Sequence, residues 1–305
     1  MMSITLLTQV FLPLSLAIIM LGMGMTLVPA DFTRIVKYPK AILIGLTNQL
    51  IFLPILGFLL AVVFQLEPIL AIGIMILAVS PGGPTSNLIT QVCKGNIALS
   101  VTLTAITSFI TIITIPLILS FALDYFGSGN GTPIEMPVLS TILQITVITV
   151  IPISIGMIIR RFRPGFSDRM ERPMRIASTV IFILVFIAVV AANFSMIGDS
   201  MKRVGLVTLL LNIATMGLGY LTARLFRLKL KNAISITIES GIQNGTLAFV
   251  IATTILLNIE MAIPTVAYSI WMFVTGGVLM WQLGKRELET SEPELMDGSA
   301  VEVSS

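Results

Sequence analysis

The chain has 305 residues, 56% of them hydrophobic and only 11% charged, with a net charge of +3 and a mean hydropathy of +1.02. A water-soluble domain of this length could not cover so much apolar side chain, which leaves an all-α bundle of membrane-spanning helices, each satisfying its own backbone. The chain has no histidine and a single cysteine, Cys93, and it carries no Gly-Lys-[Ser/Thr] phosphate loop. These absences exclude an imidazole relay, a histidine-held metal and an internal disulfide, and argue against ATP-driven pumping by this chain alone.

Nine spans are predicted, at about 8–28, 41–64, 69–93, 97–123, 137–159, 176–194, 204–223, 233–257 and 264–283. The first is long for a signal peptide, follows no basic residue and precedes no small-residue cleavage site, so a mature helix is expected. The second is interrupted by Asn48 and Gln49. The third carries Ser80-Pro-Gly-Gly-Pro-Thr-Ser-Asn87, whose two prolines and two glycines should break a helix outright. The fourth places Ser100 and Thr104 four residues apart, on one face. Residues 124–137, DYFGSGNGTPIEMP, read as an external turn. The eighth holds ITIESGIQNGTLAF, with Glu239, Gln243, Asn244 and two glycines inside an apolar run. The tail, 287–305, contains six acidic residues and reads as a disordered cytoplasmic segment.

Charge gives the orientation. In the nine-span frame, 16 of the 18 basic residues fall on one side, and only Lys202 and Arg203 on the other. The positive-inside rule then places the N-terminus outside and the C-terminus in the cytoplasm. The net charge is therefore topological and implies no nucleic-acid partner.

Sorting the acidic residues by depth leaves Glu239 alone well inside a span, with no lysine or arginine at its level. A carboxylate at the bilayer centre costs about 2.5–3.5 kcal/mol, so such residues mark an ion or substrate path. Around it, Glu239-Ser-Gly-Ile-Gln-Asn-Gly245 is a poor helix centre, where a helix can unwind and offer carbonyls to a cation. Spans three and eight are five apart and cross in opposite directions. Two interrupted spans in corresponding places of two halves point to a secondary transporter with an inverted repeat, the first at about 8–123 and the second at about 137–283. Spans 1–4 would match 6–9, and span 5 would open the second repeat. Each first half-helix ends in free carbonyls that suit a hard cation. Each second half-helix begins with free N–H groups, near Asn87 and Asn244, that suit an anion. A proton-driven or sodium-independent efflux carrier, with Glu239 carrying the proton, stands as the alternative. An intramembrane enzyme lacks a catalytic dyad or metal cluster here.

Three ordered motifs carry a resemblance: LGMGMTLVPADF (21–32), PGGPTSN (81–87) with KGNIALSVTLT (94–104), and ESGIQN (239–244). Together the sequence resembles the bile acid:sodium symporter family, in a nine-helix form of its bacterial members. The resemblance implies a transmembrane domain over 1–286 with a core carrying two crossed helices, beside a panel of spans 1, 5 and 6. It implies a bacterial inner-membrane location and two sodium sites. One would use Ser86, Asn87, Ser100, Thr104 and Glu239; the other Gln49, Glu239, Gln243 and the carbonyls of Ser240 and Ile242. Asn87 and Asn244 would face the substrate, with Pro84, Thr85 and Met272 near them. Pro84 stands where a small or hydroxyl residue is common, and Met272 follows Trp271 where bile-salt binders carry a histidine. The substrate expected is an organic anion, bile-acid-like or a small carboxylate.

Overall fold

Proline sets where many of the helices begin. Pro29, Pro39, Pro68, Pro84 and Pro164 each occupy the first residue of a helix, where the missing N–H costs nothing and the fixed φ suits the first turn. The structure, a computed structural model, describes residues 7–37, 39–127, 138–192 and 194–284. Within them every regular element is helical. The acidic tail at 287–305 and most of the loop at 124–137 lie outside the described residues; Asp124 to Gly127 continue the preceding helix.

The helices in chain order are α1 (Leu12–Thr26, preceded by a wide turn at Leu7–Phe11), α2 (Pro29–Lys37), α3 (Pro39–Val63), α4 (Pro68–Ala78), α5 (Pro84–Val92) and α6 (Ile97–Gly127). Then follow α7 (Val138–Phe162), α8 (Pro164–Ala192), α9 (Phe194–Leu225), α10 (Leu230–Gly241), α11 (Gly245–Val250, continued by a wide turn at Ile251–Ile255) and α12 (Glu260–Gly284). Six of the described helices are long and apolar enough to cross a bilayer. Their outer faces expose large apolar side chains, among them Leu43, Leu139 and Leu221, as lipid-facing surfaces do. The protein is an integral membrane helix bundle.

The predicted third and eighth spans are each two half-helices. α4 and α5 are separated at Val79–Gly83, and α10 and α11 at Ile242–Asn244. Between the first two predicted spans, Asp31 lies in the first turn of the short helix α2, where its carboxylate accepts from Val28 N at 2.8 Å.

Three wide π turns precede a proline: Leu7–Phe11 before Pro13, Asn48–Phe52 before Pro54, and Thr146–Val150 before Pro152. A proline ring inside a helix removes one hydrogen bond and collides with the carbonyl four residues back, and a widened turn relieves that collision. Left-handed residues also end several segments. Among the described residues, Gln65, Lys94, Arg227 and Leu257 are the non-glycine residues with positive φ, at 49°, 56°, 56° and 53°. They follow α3, α5, α9 and the turn after α11, so each of these segments ends on a residue in the left-handed region.

α1 packs most closely against α7 and α8, while α9 packs on α10 and α12, and α6 on α4, α5 and α10. The α1–α7 contact is backbone on backbone. A Cβ on Gly24 would sit 2.2 Å from the Ile153 carbonyl, and one on Gly156 would sit 2.3 Å from that of Leu21. Only two facing glycines allow this approach. The helices of the expected panel thus form one packed group, and the crossed half-helices sit in the other.

Candidate functional site

The two breaks meet. The Ser80 carbonyl, left free by the end of α4, accepts from Asn244 N at 3.1 Å. Asn244 is the N-cap of α11, and its side-chain oxygen accepts from Leu247 N at 3.0 Å, satisfying one of the orphan donors of the new helix. Asn87 lies one turn inside α5, whose first residue is Pro84.

Glu239, in the last turn of α10, is fully buried. Ser100 Oγ lies 2.5 Å from its Oε1, and Thr104 Oγ1 lies 3.4 and 3.2 Å from its two oxygens. Gln49 Nε2 reaches Oε2 at 3.2 Å from the π turn of α3. Ser86 also stands against the carboxylate, while its hydroxyl donates to the Gly83 carbonyl at 2.7 Å. All of these partners are uncharged. Ser100 Oγ is in addition 2.7 Å from Asn87 Oδ1, and Thr104 Oγ1 is 3.3 Å from the same atom. Each of these two hydroxyls is within reach of both the carboxylate and the amide oxygen, and its one proton serves only one of them at a time.

On α3, α10 and the break after it, Gln49 Oε1, Ser240 Oγ and Gln243 Oε1 are buried acceptors with no hydrogen-bond partner. The Ser240 carbonyl already accepts from Gln243 Nε2 at 2.7 Å. A Cβ placed on Gly82 would lie 3.0 Å from each of three oxygens: Glu239 Oε2, the Ile242 carbonyl and Ser86 Oγ. Three oxygens therefore converge on a space that only a glycine leaves open. Orphaned buried acceptors are costly in a protein interior, and a hard cation with oxygen ligands would relieve that cost.

The model of the sodium bile acid symporter family matches residues 13–200, more than half of the chain. The chain belongs to the sodium bile acid symporter family. Among similar proteins, an uncharacterized sodium-dependent transporter of Bacillus subtilis, YocS, is 29% identical over 90% of this chain and 84% of its own length. A probable chloroplastic sodium/metabolite cotransporter of Arabidopsis thaliana, BASS1, is 30% identical over 87% of this chain and 64% of its own length. The rat hepatic sodium/bile acid cotransporter is 30% identical over 77% of this chain and 65% of its own length. The chain thus spans somewhat less than two thirds of the last two. Membership makes it a sodium-coupled membrane transporter and not an enzyme.

Each residue of the two expected cation sets lies at the crossing or faces it from α3 and α6. The expected substrate residues are more dispersed. A small cavity beside the crossing, with a volume of about 10 Å³, is lined by Pro81, Gly82, Asn244 and Leu247 from the broken helices, Ser108 and Thr111 from α6, and Met20 and Thr149 from α1 and α7. Asn244 lines it, whereas Pro84, Thr85, Asn87 and Met272 do not. Thr85 is exposed, and Met272 is buried with its methyl group near Gly245.

The hydroxyls of Ser108, Thr111 and Thr149 were not singled out from sequence. Each donates back to its own helix, at 2.7, 3.3 and 2.6 Å, so only their unused lone pairs face the cavity. Serine and threonine in apolar spans commonly make such back-bonds, and nothing in the sequence marks these three among the rest.

Proposed function

We propose that this family member is a symporter that carries a small organic anion inward together with sodium, by alternating access. The observation that supports it most is the surplus of buried oxygen acceptors around Glu239. Two sodium ions would share that carboxylate. One would be held by Ser86, Asn87, Ser100, Thr104 and Glu239; the other by Gln49, Glu239, Gln243 and the carbonyls of Ser240 and Ile242. Two positive charges in place of lost water contacts would offset the cost of one buried anion and tie both broken helices together.

The substrate anion would then dock at the start of α11, at Asn244, in the seam between the crossing and α1 with α7. That seam is nearly closed here, with room for about one water, so entry requires the panel to move from the core. We place the N-terminus outside and the C-terminus in the cytoplasm of a bacterial inner membrane. Each net positive charge carried inward would then gain about 2.3 kcal/mol per 100 mV of inside-negative potential.

The test is a thermal-shift screen of the purified protein against organic anions, in sodium and in potassium at equal ionic strength. Stabilisation by a carboxylate or bile salt in sodium alone supports symport. Stabilisation that is equal in the two salts but follows pH would transfer the assignment to a proton-driven carrier.

A further inference from the structure

The end of α10 rests on a polar wall built by α9 and α12. A Cβ on Gly241 would lie 2.0 Å from Met216 Cγ, so α9 presses directly on this backbone. The last carbonyls of a helix have no donor within it. That of Gly241 takes two from side chains: Asn212 Nδ2 at 2.9 Å and the Tyr268 hydroxyl at 2.9 Å. Both side chains are fully buried. The Asn212 amide meets Thr275 in turn, whose hydroxyl lies 2.8 Å from Asn212 Oδ1 and shares its one proton with the Trp271 carbonyl at 2.9 Å and the Met272 carbonyl at 3.3 Å. Trp271, between Tyr268 and Thr275 in sequence, donates to the Gly205 carbonyl at 2.9 Å and ties α12 to α9. The Tyr268 hydroxyl also stands beside Thr215 and Gln243.

These contacts act on one peptide plane. Its carbonyl is the one that Asn212 and Tyr268 hold, and its N–H, that of Ile242, donates to the Ile238 carbonyl at 2.8 Å. With both ends fixed the plane cannot rotate. Ile242 then leaves the helix extended, at φ −104° and ψ 99°. That geometry places its carbonyl in the oxygen cluster around Gly82 and brings Gln243 next in line.

We propose that Asn212 and Tyr268 are positioning residues for the second cation site: by pinning the Gly241–Ile242 peptide they aim the Ile242 carbonyl and Gln243 at the ion and set its affinity. The proposal rests on the sodium-symport reading given above. Two neutral donors on one carbonyl hold it rigidly yet leave the cation ligands themselves unencumbered.

The test is a sodium chloride titration of the thermal unfolding of the full chain in detergent, at constant ionic strength with potassium. Tyr268→Phe removes one donor and almost no volume, and is expected to raise the half-saturating sodium concentration about fivefold, the effect of one typical hydrogen bond. Thr275→Val, which frees the Asn212 amide to turn, should act in the same direction. It carries the test should Tyr268→Phe not fold. In a Gln243→Ala background, Tyr268→Phe should add clearly less than in wild type, because only the Ile242 carbonyl is left to misplace; in a Ser86→Ala background it should keep its full effect. A merely structural role would lower the unfolding temperature in potassium and leave the half-saturating sodium within twofold of wild type, which overturns the proposal. Equal effects in both backgrounds would overturn it as well. A wild-type protein that ignores sodium would defeat the symport reading itself, and this inference with it; a responsive wild type with an unchanged Tyr268→Phe defeats the inference alone.

Discussion

Glu239 is fully buried among Gln49, Ser86, Ser100 and Thr104, none of which can neutralise it. An ionised carboxylate in that setting needs a cation, and the neighbouring orphan oxygens of Gln49 and Gln243 would suit one. Replacing Glu239 by Gln keeps hydrogen-bonding capacity and deletes the charge. The variant should lose all sodium-dependent stabilisation, while its stability in potassium rises by about 2.5–3.5 kcal/mol, the cost of the buried charge; thermal unfolding in the two salts measures both. Gly82→Ala would drive a methyl group into the space where three oxygens meet. It should cost at least tenfold in apparent sodium affinity, a change of about 1.4 kcal/mol, read from the same titration. Glu239 was legible in the sequence by elimination, because it alone among the acidic residues sits deep in a span. Asn212 and Tyr268 were not, since they meet the break only after three helices have packed, and an amide or a tyrosine in an apolar span has many uninformative explanations.

At the scale of elements, the breaks were legible because proline and glycine act locally. Pro81, Gly82, Gly83 and Pro84 forbid a continuous helix whatever surrounds them. The π turn at Asn48–Phe52 was not, although its cause, Pro54, stands five residues beyond Gln49. A proline can be absorbed by a kink, a turn or a π bulge, and neighbouring packing decides among them. Here the π turn aims Gln49 at Glu239. Pro54→Ala removes the reason for the wide turn, and a regular helix would rotate Gln49 away. The variant should fold, and should bind sodium several-fold more weakly with an effect that vanishes in a Gln49→Ala background; a titration of the double variant checks it. The left-handed stop at Gln65 gives a second handle. A non-glycine residue with positive φ costs about 1–2 kcal/mol, so Gln65→Gly, on an exposed turn, should raise the unfolding temperature in potassium and in sodium alike.

For the whole molecule, hydropathy and the bias of basic residues made the membrane class and the span order readable, because a bilayer imposes the same demand on every segment. How the two groups of helices divide was implied only by resemblance; in the structure it follows from α1 packing on α7 and α8, with Gly24 and Gly156 in backbone contact. The seam between the groups holds Met20 on one side and Leu247 on the other. In a Cys93→Ala background, cysteines at Met20 and Leu247 should be joined by a short bifunctional thiol reagent. Cross-linking should arrest anion uptake in proteoliposomes and leave sodium binding intact, since the residues of both proposed cation sets lie on the core helices.

The central claim is that two sodium ions share Glu239 at the crossing. The direct measurement is equilibrium binding of radiolabelled sodium to the purified chain, in wild type and Glu239→Gln. The account predicts two ions per wild-type chain, displaced by unlabelled sodium but not by potassium, and none in Glu239→Gln. Undiminished binding in Glu239→Gln, or the lack of any saturable sodium in the wild type, would contradict it.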